Sequence, residues 1–397
     1  MSQRQLKNCY FIITAMNTIA TCYFSTYIFF FLRDRFGFGA RENLWVTALY
    51  GFIYIFSAWQ CGKFAQRRGF LTSLKVGFTG LALVMIAGGA LIHSVPAALL
   101  VVAGYSVVLL FTWPALEALV SENETQSGVQ EMVGIYNCTW AAGAAFAYFT
   151  GGKLYDWSNR GAVFWLPAAI FFVELLFVIY LARQARRSPA AEVPHAKAIP
   201  EAPHHPEAAA FKQPVSPKTF LNMAWLSNPF AYVAVNTLIA VVPSLAAKFS
   251  LSATQAGWLA SVWCFGRFAA FAILWKWTGW HYRFRYLLAS FIVLVLSFAS
   301  ILLAPELWMV VVAQIFFGLV VGLIYYSSLF YSMDVGDTKG EHGGFHEAAI
   351  GAGIFAGPAV GALTLQFFGG YHQAGVFAVS GLLLCGLTGL IVLRVRK

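Results

Sequence analysis

Long apolar runs broken by short polar connections make up nearly the whole chain. A helix that crosses a bilayer needs about 20 apolar residues. On that measure the runs near 9–32, 43–62, 72–92, 96–119, 129–150 and 161–182 predict six spans, and those near 220–247, 254–275, 286–304, 307–332, 345–368 and 371–393 predict six more. One stretch breaks the rhythm. Arg183 to Pro217 lacks apolar periodicity and mixes several prolines with both signs of charge, the composition of a solvated linker. It divides the chain into units 1–183 and 218–397 joined by 184–217. Connections as short as His93-Ser94 and Gly369-Gly370 make successive spans antiparallel. The predicted fold class is an all-α membrane protein of twelve transmembrane helices in two six-helix bundles.

The two units resemble each other. Met16-Asn17-Thr18-Ile19 in the first span matches Val235-Asn236-Thr237-Leu238 in the seventh, and Trp45 matches Trp258. A constant shift carries Glu131 onto Glu341, Gly134 onto Gly344, Asn137 onto Glu347, Gly143 onto Gly353 and Gly151 onto Gly361. Such a run of coincidences in corresponding spans is the mark of duplication. Parallel six-helix repeats suit a rocking transporter, because a pseudo-two-fold pair can close at either membrane face.

Composition agrees with a bilayer solvent. Hydrophobic residues are 59%, charged residues 11% and mean hydropathy is +0.69, whereas soluble domains carry about a quarter charged residues. The net charge of +10 could suggest nucleic acid, but its distribution sets topology instead. With both termini cytoplasmic, nineteen of the 26 Lys and Arg fall on the cytoplasmic side, six outside, and Arg267 within a span. The six cysteines lie singly in or beside apolar runs, without metal-ligand spacing, so neither disulfides nor a metal site is implied. Arg4 and Lys7 precede an apolar run too long for a signal peptide, so the first span is expected to remain as an anchor.

The loop after the second span reads Gly62-Lys63-Phe64-Ala65-Gln66-Arg67-Arg68-Gly69-Phe70-Leu71. It resembles the cytoplasmic loop motif of the major facilitator superfamily, with Gln66 in place of the acidic residue and Phe70 in place of a basic one. Gly353, Gly357, Pro358 and Gly361 resemble a packing motif of the same superfamily. Glycines at this spacing let helices approach closely. The resemblance covers nearly the whole chain and implies alternating access, with the first, fourth, seventh and tenth spans lining a central cavity. In that frame Asn17 and Asn236 either face the cavity or bond to neighbouring helices. Trp113, Trp140, Trp263, Tyr325 and Tyr326 are candidate aromatic walls, with ordinary helix packing as the alternative. Trp45, Trp157, Trp165, Trp225, Trp277, Trp280 and Trp308 lie near span ends, as an interface belt would.

Charges on the cytoplasmic turns recur in both halves. Arg67, Arg68, Glu122, Glu124 and Glu131 in the first correspond to Arg283, Arg285, Asp334, Asp337 and Glu341 in the second. Paired, they would lock the inner face while the cavity opens outward. Unpaired, they are solvated loop charges, whose exposed pairs contribute about 0–1 kcal/mol.

Within the spans, Glu117, His346 and Glu347 are candidates for proton coupling. An intramembrane carboxylate is costly when charged and is usually paired or protonated. Glu347 also lies in a first helical turn, where the dipole favours an acid, whereas Glu117 lies near a helix end where it does not. Glu174 sits mid-span in the sixth helix with no assigned role. Arg267 is the one basic residue deep in a span, and its first-half counterpart is Tyr54, so the repeat does not require it. It either pairs with Glu347 or Glu117, or grips an anionic substrate group through its planar fork.

No G-x-x-x-x-G-K-[ST] loop or catalytic cluster is present, so the sequence predicts neither an ATP-driven pump nor a membrane enzyme, and no cofactor. The expected protein is a monomeric secondary transporter of the inner membrane, surrounded by lipids and coupled to a proton or other ion. Its cargo would be a small solute, an organic anion among the candidates. Proton-driven efflux of amphipathic compounds is the alternative. A transporter-like sensor would need a soluble domain larger than the linker and tails supply.

Overall fold

The computed structural model describes residues 3–122, 124, 126–187, 215–335, 339–371 and 373–395. The described residues form helical spans only: α1 (Gln3–Phe36), α2 (Ala40–Arg68), α3 (Phe70–Leu91), α4 (Val95–Ser121), α5 (Gln126–Trp157) and α6 (Ala162–Arg187), then α7 (Pro217–Lys248), α8 (Ala253–Lys276), α9 (Phe284–Leu303), α10 (Leu307–Val335), α11 (Lys339–Phe367) and α12 (Ala374–Val395). Each corresponds to one predicted span, with its ends within about seven residues of the expected bounds. Eleven are long and apolar enough to cross a membrane. The exception, α5, is long enough at 32 residues but has an Ala- and Gly-rich middle that also carries Tyr136, Trp140 and Tyr148. Most of the predicted linker lies outside the described residues.

Local chemistry sets the helix ends. At the start of α8, Ser252 Oγ accepts from Gln255 N at 3.2 Å while Gln255 Oε1 accepts from Ser252 N at 3.0 Å, a reciprocal capping box. Ser94 Oγ accepts from Ala97 N at the start of α4, where Pro96 tolerates the free first turn. The turn between α2 and α3 is a single residue, Gly69 at φ +87°, a conformation that favours glycine. Mid-way, α4 breaks at residues 110–112 because Pro114 has no N–H and its ring clashes with the carbonyl four residues back. The strays are gathered locally: Ser73 Oγ donates to Phe111 O at 2.7 Å, and Thr112 N donates to Leu109 O at 2.9 Å.

Helices α1–α6 pack as one bundle and α7–α12 as the other. Two pairs carry most of the contact between bundles, α2 with α11 and α5 with α8. The pseudo-symmetry exchanges α2 with α8 and α5 with α11, so the two pairs are equivalent. Glycine makes both seams close. A Cβ on Gly51 would meet the backbone of Ile354 and Phe355, and one on Gly152 would meet that of Ala253 and Thr254. Gly353 and Gly357, by contrast, press on Pro229 and Val233 of α7 inside the second bundle.

Both ends of the described chain lie at one face of the bundles, called here the terminal face. At the opposite face, Asp156 Oδ2 of α5 accepts from Thr254 N at 3.0 Å and Thr254 Oγ1 at 2.6 Å, capping α8 across the seam. Arg33 Nη1 of α1 donates to Pro243 O of α7 at 3.3 Å. At the terminal face, Lys7 is buried and donates to three carbonyls at the end of α4, Leu119 O at 3.1 Å, Val120 O at 2.8 Å and Glu122 O at 2.6 Å, with Glu124 at 3.7 Å. Trp45, Trp157, Trp165, Trp277 and Trp308 are exposed, as a belt requires. Trp280 departs from that expectation. It is 1% exposed, packed on Phe330, Tyr326 and Tyr331 under the α8–α9 turn.

Candidate functional site

A cavity of about 210 Å³ lies between the bundles. Helix α1 contributes one stripe, Thr18, Thr21, Cys22, Ser25 and Ile28, whose spacing of three and four residues puts them on a single face. The threonine hydroxyls are already used: Thr18 Oγ1 donates to Thr14 O and Thr21 Oγ1 to Asn17 O, both at 2.7 Å. The break in α4 leaves Trp113 and Glu117, one turn apart on the short second segment, both lining the cavity. Asn236 lines it from α7 and donates to Tyr232 O at 3.1 Å. Trp140, Trp263, Arg267, Tyr325 and Glu347 complete the predicted residues found here.

Arg267 is 7% exposed. Its Cζ lies 4.3 Å from the ring centroid of Trp140, in the first bundle, and 4.6 Å from that of Trp263, one turn back on α8. Its backbone is fixed where α8 crosses α10, because Gly318 lacks the Cβ that would meet Trp263 C and Arg267 N. Trp140 is itself set by a hydrogen bond from Nε1 to Asn137 Oδ1 at 3.1 Å. No carboxylate among the described residues pairs with Arg267, and its buried Nε has no partner. The indole faces attract the cation by about 0.5–2 kcal/mol each. They supply no acceptor, so the N–H groups keep their bonding capacity.

The acids gather elsewhere in the same cavity. Glu347 is 4% exposed and accepts a hydrogen bond from the Tyr54 hydroxyl of α2, across the seam between bundles. Glu117 faces the cavity within electrostatic reach of Glu347. Tyr50, Tyr136, Tyr232 and Tyr325 also line this region. Thus Arg267 and its repeat counterpart Tyr54 both reach the cavity with different chemistry, one cationic and one a phenol bonded to an acid.

Other predicted residues lie elsewhere. Asn17 is fully buried beside the α4 break, its Nδ2 donating to Thr112 Oγ1 at 3.3 Å, and does not line the cavity. Tyr326 packs against Trp280 and Phe271 behind the wall. His346 sits between α10 and α11, with Nδ1 3.4 Å from Ser328 Oγ, also off the cavity. Glu174 is fully buried in α6 with neither carboxylate oxygen partnered, and lines no described cavity.

The charged residues expected to form a gate lie on the turns at the terminal face. Arg67 and Arg68 are exposed with no hydrogen bond or ion pair to a described residue, and Glu122 and Glu131 are also exposed. Arg285 donates to Tyr286 Oη at 3.2 Å, Arg283 caps the start of α9 without a side-chain cap bond, and Asp334 accepts from the Tyr282 hydroxyl. Asp337 and the side chain of Glu341 lie outside the described residues.

Comparison with known proteins then places the chain. The sequence pattern of the Major Facilitator Superfamily matches residues 8–241 and again 224–397. The chain belongs to the major facilitator superfamily. No curated protein sequence matches it. The crystal structure of the human organic anion transporter MFSD10 (TETRAN) is similar at TM-score 0.68 and 14% identity, covering 98% of this chain and 100% of that one. A structure described as giving insight into substrate recognition in proton-dependent oligopeptide transporters is similar at TM-score 0.68 and 14% identity, covering 99% and 98%. At that identity the likeness is one of fold. This major facilitator protein is therefore an integral membrane secondary transporter of a small molecule, not an enzyme.

Sequence reasoning did not single out six of the cavity tyrosines, Tyr50, Tyr54, Tyr105, Tyr136, Tyr148 and Tyr232. A signal was available in part, because Tyr50 and Tyr54 are four apart on α2 and the α1 stripe is polar at helical spacing. In so aromatic a chain, however, a tyrosine pair reads equally well as packing.

Proposed function

We propose that this transporter moves a small solute with an anionic group through the central cavity by alternating access, coupled to protons. The observation that carries the reading is Arg267, a buried cation flanked by two indoles with no acidic partner among the described residues. A mid-span arginine costs about 2.5–3.5 kcal/mol on insertion scales, and an unmade buried donor about 1–3 kcal/mol more. A substrate carboxylate or similar anion would relieve both. Trp140 and Trp263 come from different bundles, so a bound anion would touch the seam along which the bundles rock.

Residues 1–183 and 218–397 are the rocking units and 184–217 their linker. The membrane is the inner membrane, with both termini cytoplasmic and the protein a monomer among lipids. Glu117 and Glu347 carry the coupling proton, since they are the carboxylates that face the cavity, and the Tyr54 bond ties Glu347 to the opposite bundle. Arg67, Arg68, Arg283 and Arg285 would engage the acids of the turns only when the cavity opens to the other side.

The test is flux into proteoliposomes under an imposed pH gradient. Glu117→Gln or Glu347→Gln should abolish uphill accumulation while sparing exchange down a gradient. If both variants concentrate substrate as the wild type does, neither carboxylate is the coupling site.

A further inference from the structure

The cavity holds one cation and two acids that do not neutralise each other. Buried opposite charges free to approach would gain from pairing, since an isolated buried ion is expensive. Yet Arg267 makes no ion pair with Glu117 or Glu347, and its Nε stays unpartnered. Tyr232 of α7 lines the same cavity. The charges are held apart by the wall of the site, on helices α4, α8 and α11.

Each pole has its own surroundings. At the basic pole, two indoles flank the guanidinium and leave N–H groups for a planar acceptor such as a carboxylate. At the acidic pole, Glu347 accepts from the Tyr54 hydroxyl, and Glu117 and Glu347 share the cavity lining with Tyr50, Tyr136 and Tyr325, the last of which also packs edge-on against Trp140 at 5.3 Å. Carboxylates set among aromatic faces attract an organic ammonium by charge and by the ring quadrupoles together. Among the described residues the Glu117 carboxylate makes no hydrogen bond, so it has acceptors to offer.

We propose that the cavity is a two-pole site for a zwitterion, with the substrate's carboxylate at Arg267 and its ammonium at Glu117 and Glu347. This rests on the reading above that the cavity is the transport site, and it names the substrate class. A dianion fits poorly, because its second negative group would meet the acids. A simple amine leaves Arg267 unsatisfied. The site offers two carboxylates, Glu117 and Glu347, so one can take the ammonium and the other the coupling proton. The zwitterion and the coupling proton therefore do not compete for one place.

The test is equilibrium binding to the purified full-length protein. The probes are aminoalkanoates from glycine through γ-aminobutyrate to ε-aminocaproate, and phenylalanine, each beside its matched carboxylate and matched amine. One zwitterion should bind about tenfold or more tightly than both of its single-charge partners, a difference of about 1.4 kcal/mol. Arg267→Gln should remove that binding, and Glu117→Gln should reduce the zwitterion to the level of its matched carboxylate. Both variants are first checked for a monodisperse size-exclusion peak, and Arg267→Lys serves if Arg267→Gln does not fold. If matched carboxylates bind as tightly as zwitterions and still depend on Arg267, the two-pole site is overturned while the anion reading stands. If no probe shows Arg267-dependent binding, both fall.

Discussion

Gly51 lies on the α2–α11 seam, and adding a single methyl there tests whether the bundles are rigid bodies that part along it. An alanine Cβ would stand 2.6 Å from Ile354 C and 2.8 Å from Phe355 Cα, and closer still to the Phe355 amide. Carbon atoms prefer a separation of about 3.5–4.0 Å, so α2 and α11 must move apart by roughly 1 Å. Backbone cannot swing aside as a side chain could. Overpacking of this kind costs about 1–3 kcal/mol. The same change raises helix propensity by up to about 1 kcal/mol in any state in which α2 is helical, so global stability should hold. The clash falls only on the arrangement in which the seam is closed. A penalty of about 1–3 kcal/mol shifts a two-state population by about 5–150-fold.

Cys22 lines the cavity and reports its accessibility. In a variant with Cys9, Cys61, Cys138, Cys264 and Cys385 replaced, Gly51→Ala should speed alkylation of Cys22 by N-ethylmaleimide at least about fivefold, the lower bound of that range. Gly381→Ala in α12, where a Cβ meets nothing within 4 Å, is the control and should leave the rate unchanged. A wild-type rate in Gly51→Ala, or a loss of thermal stability with no gain in labelling, would refute the rigid-seam reasoning.

Two other changes probe the ends of the bundles. Lys7→Met keeps the apolar stem but strips the donor from three carbonyls at the end of α4, so it should destabilise by about 1–3 kcal/mol and lower the thermal midpoint. An unchanged midpoint would mean that water already serves those carbonyls. Asp156→Ala removes the cross-bundle cap on α8, worth about 0.5–2 kcal/mol, and should raise labelling of Cys22 by an impermeant maleimide added from the opposite face. Asp156→Asn, which keeps an acceptor oxygen, should stay near wild type; equal effects of the two variants would count against the cap.

Span number, antiparallel order and the pairing of halves were legible in the sequence because a bilayer forces them. Each span must satisfy its own backbone and present apolar length, and those demands are written residue by residue. Arg267 and Glu117 were legible for the same reason, since a charge in a span is expensive enough to stand out. Helix ends also followed from local chemistry, as at Ser252 and Gly69. What each polar residue meets was not local. Asn17 and Asn236 occupy matching places, yet one is tied to Thr112 at the α4 break and the other lines the cavity. The separation of Arg267 from the acids, the Tyr54–Glu347 bond across the seam and the burial of Trp280 each depend on helices far apart in sequence. Facing is set by helix rotation and crossing, and these are decided by glycine contacts such as Gly318 on Trp263 and Gly51 on Phe355. A side chain's depth in the membrane follows from its position along one helix, but its partner follows from the packing of several.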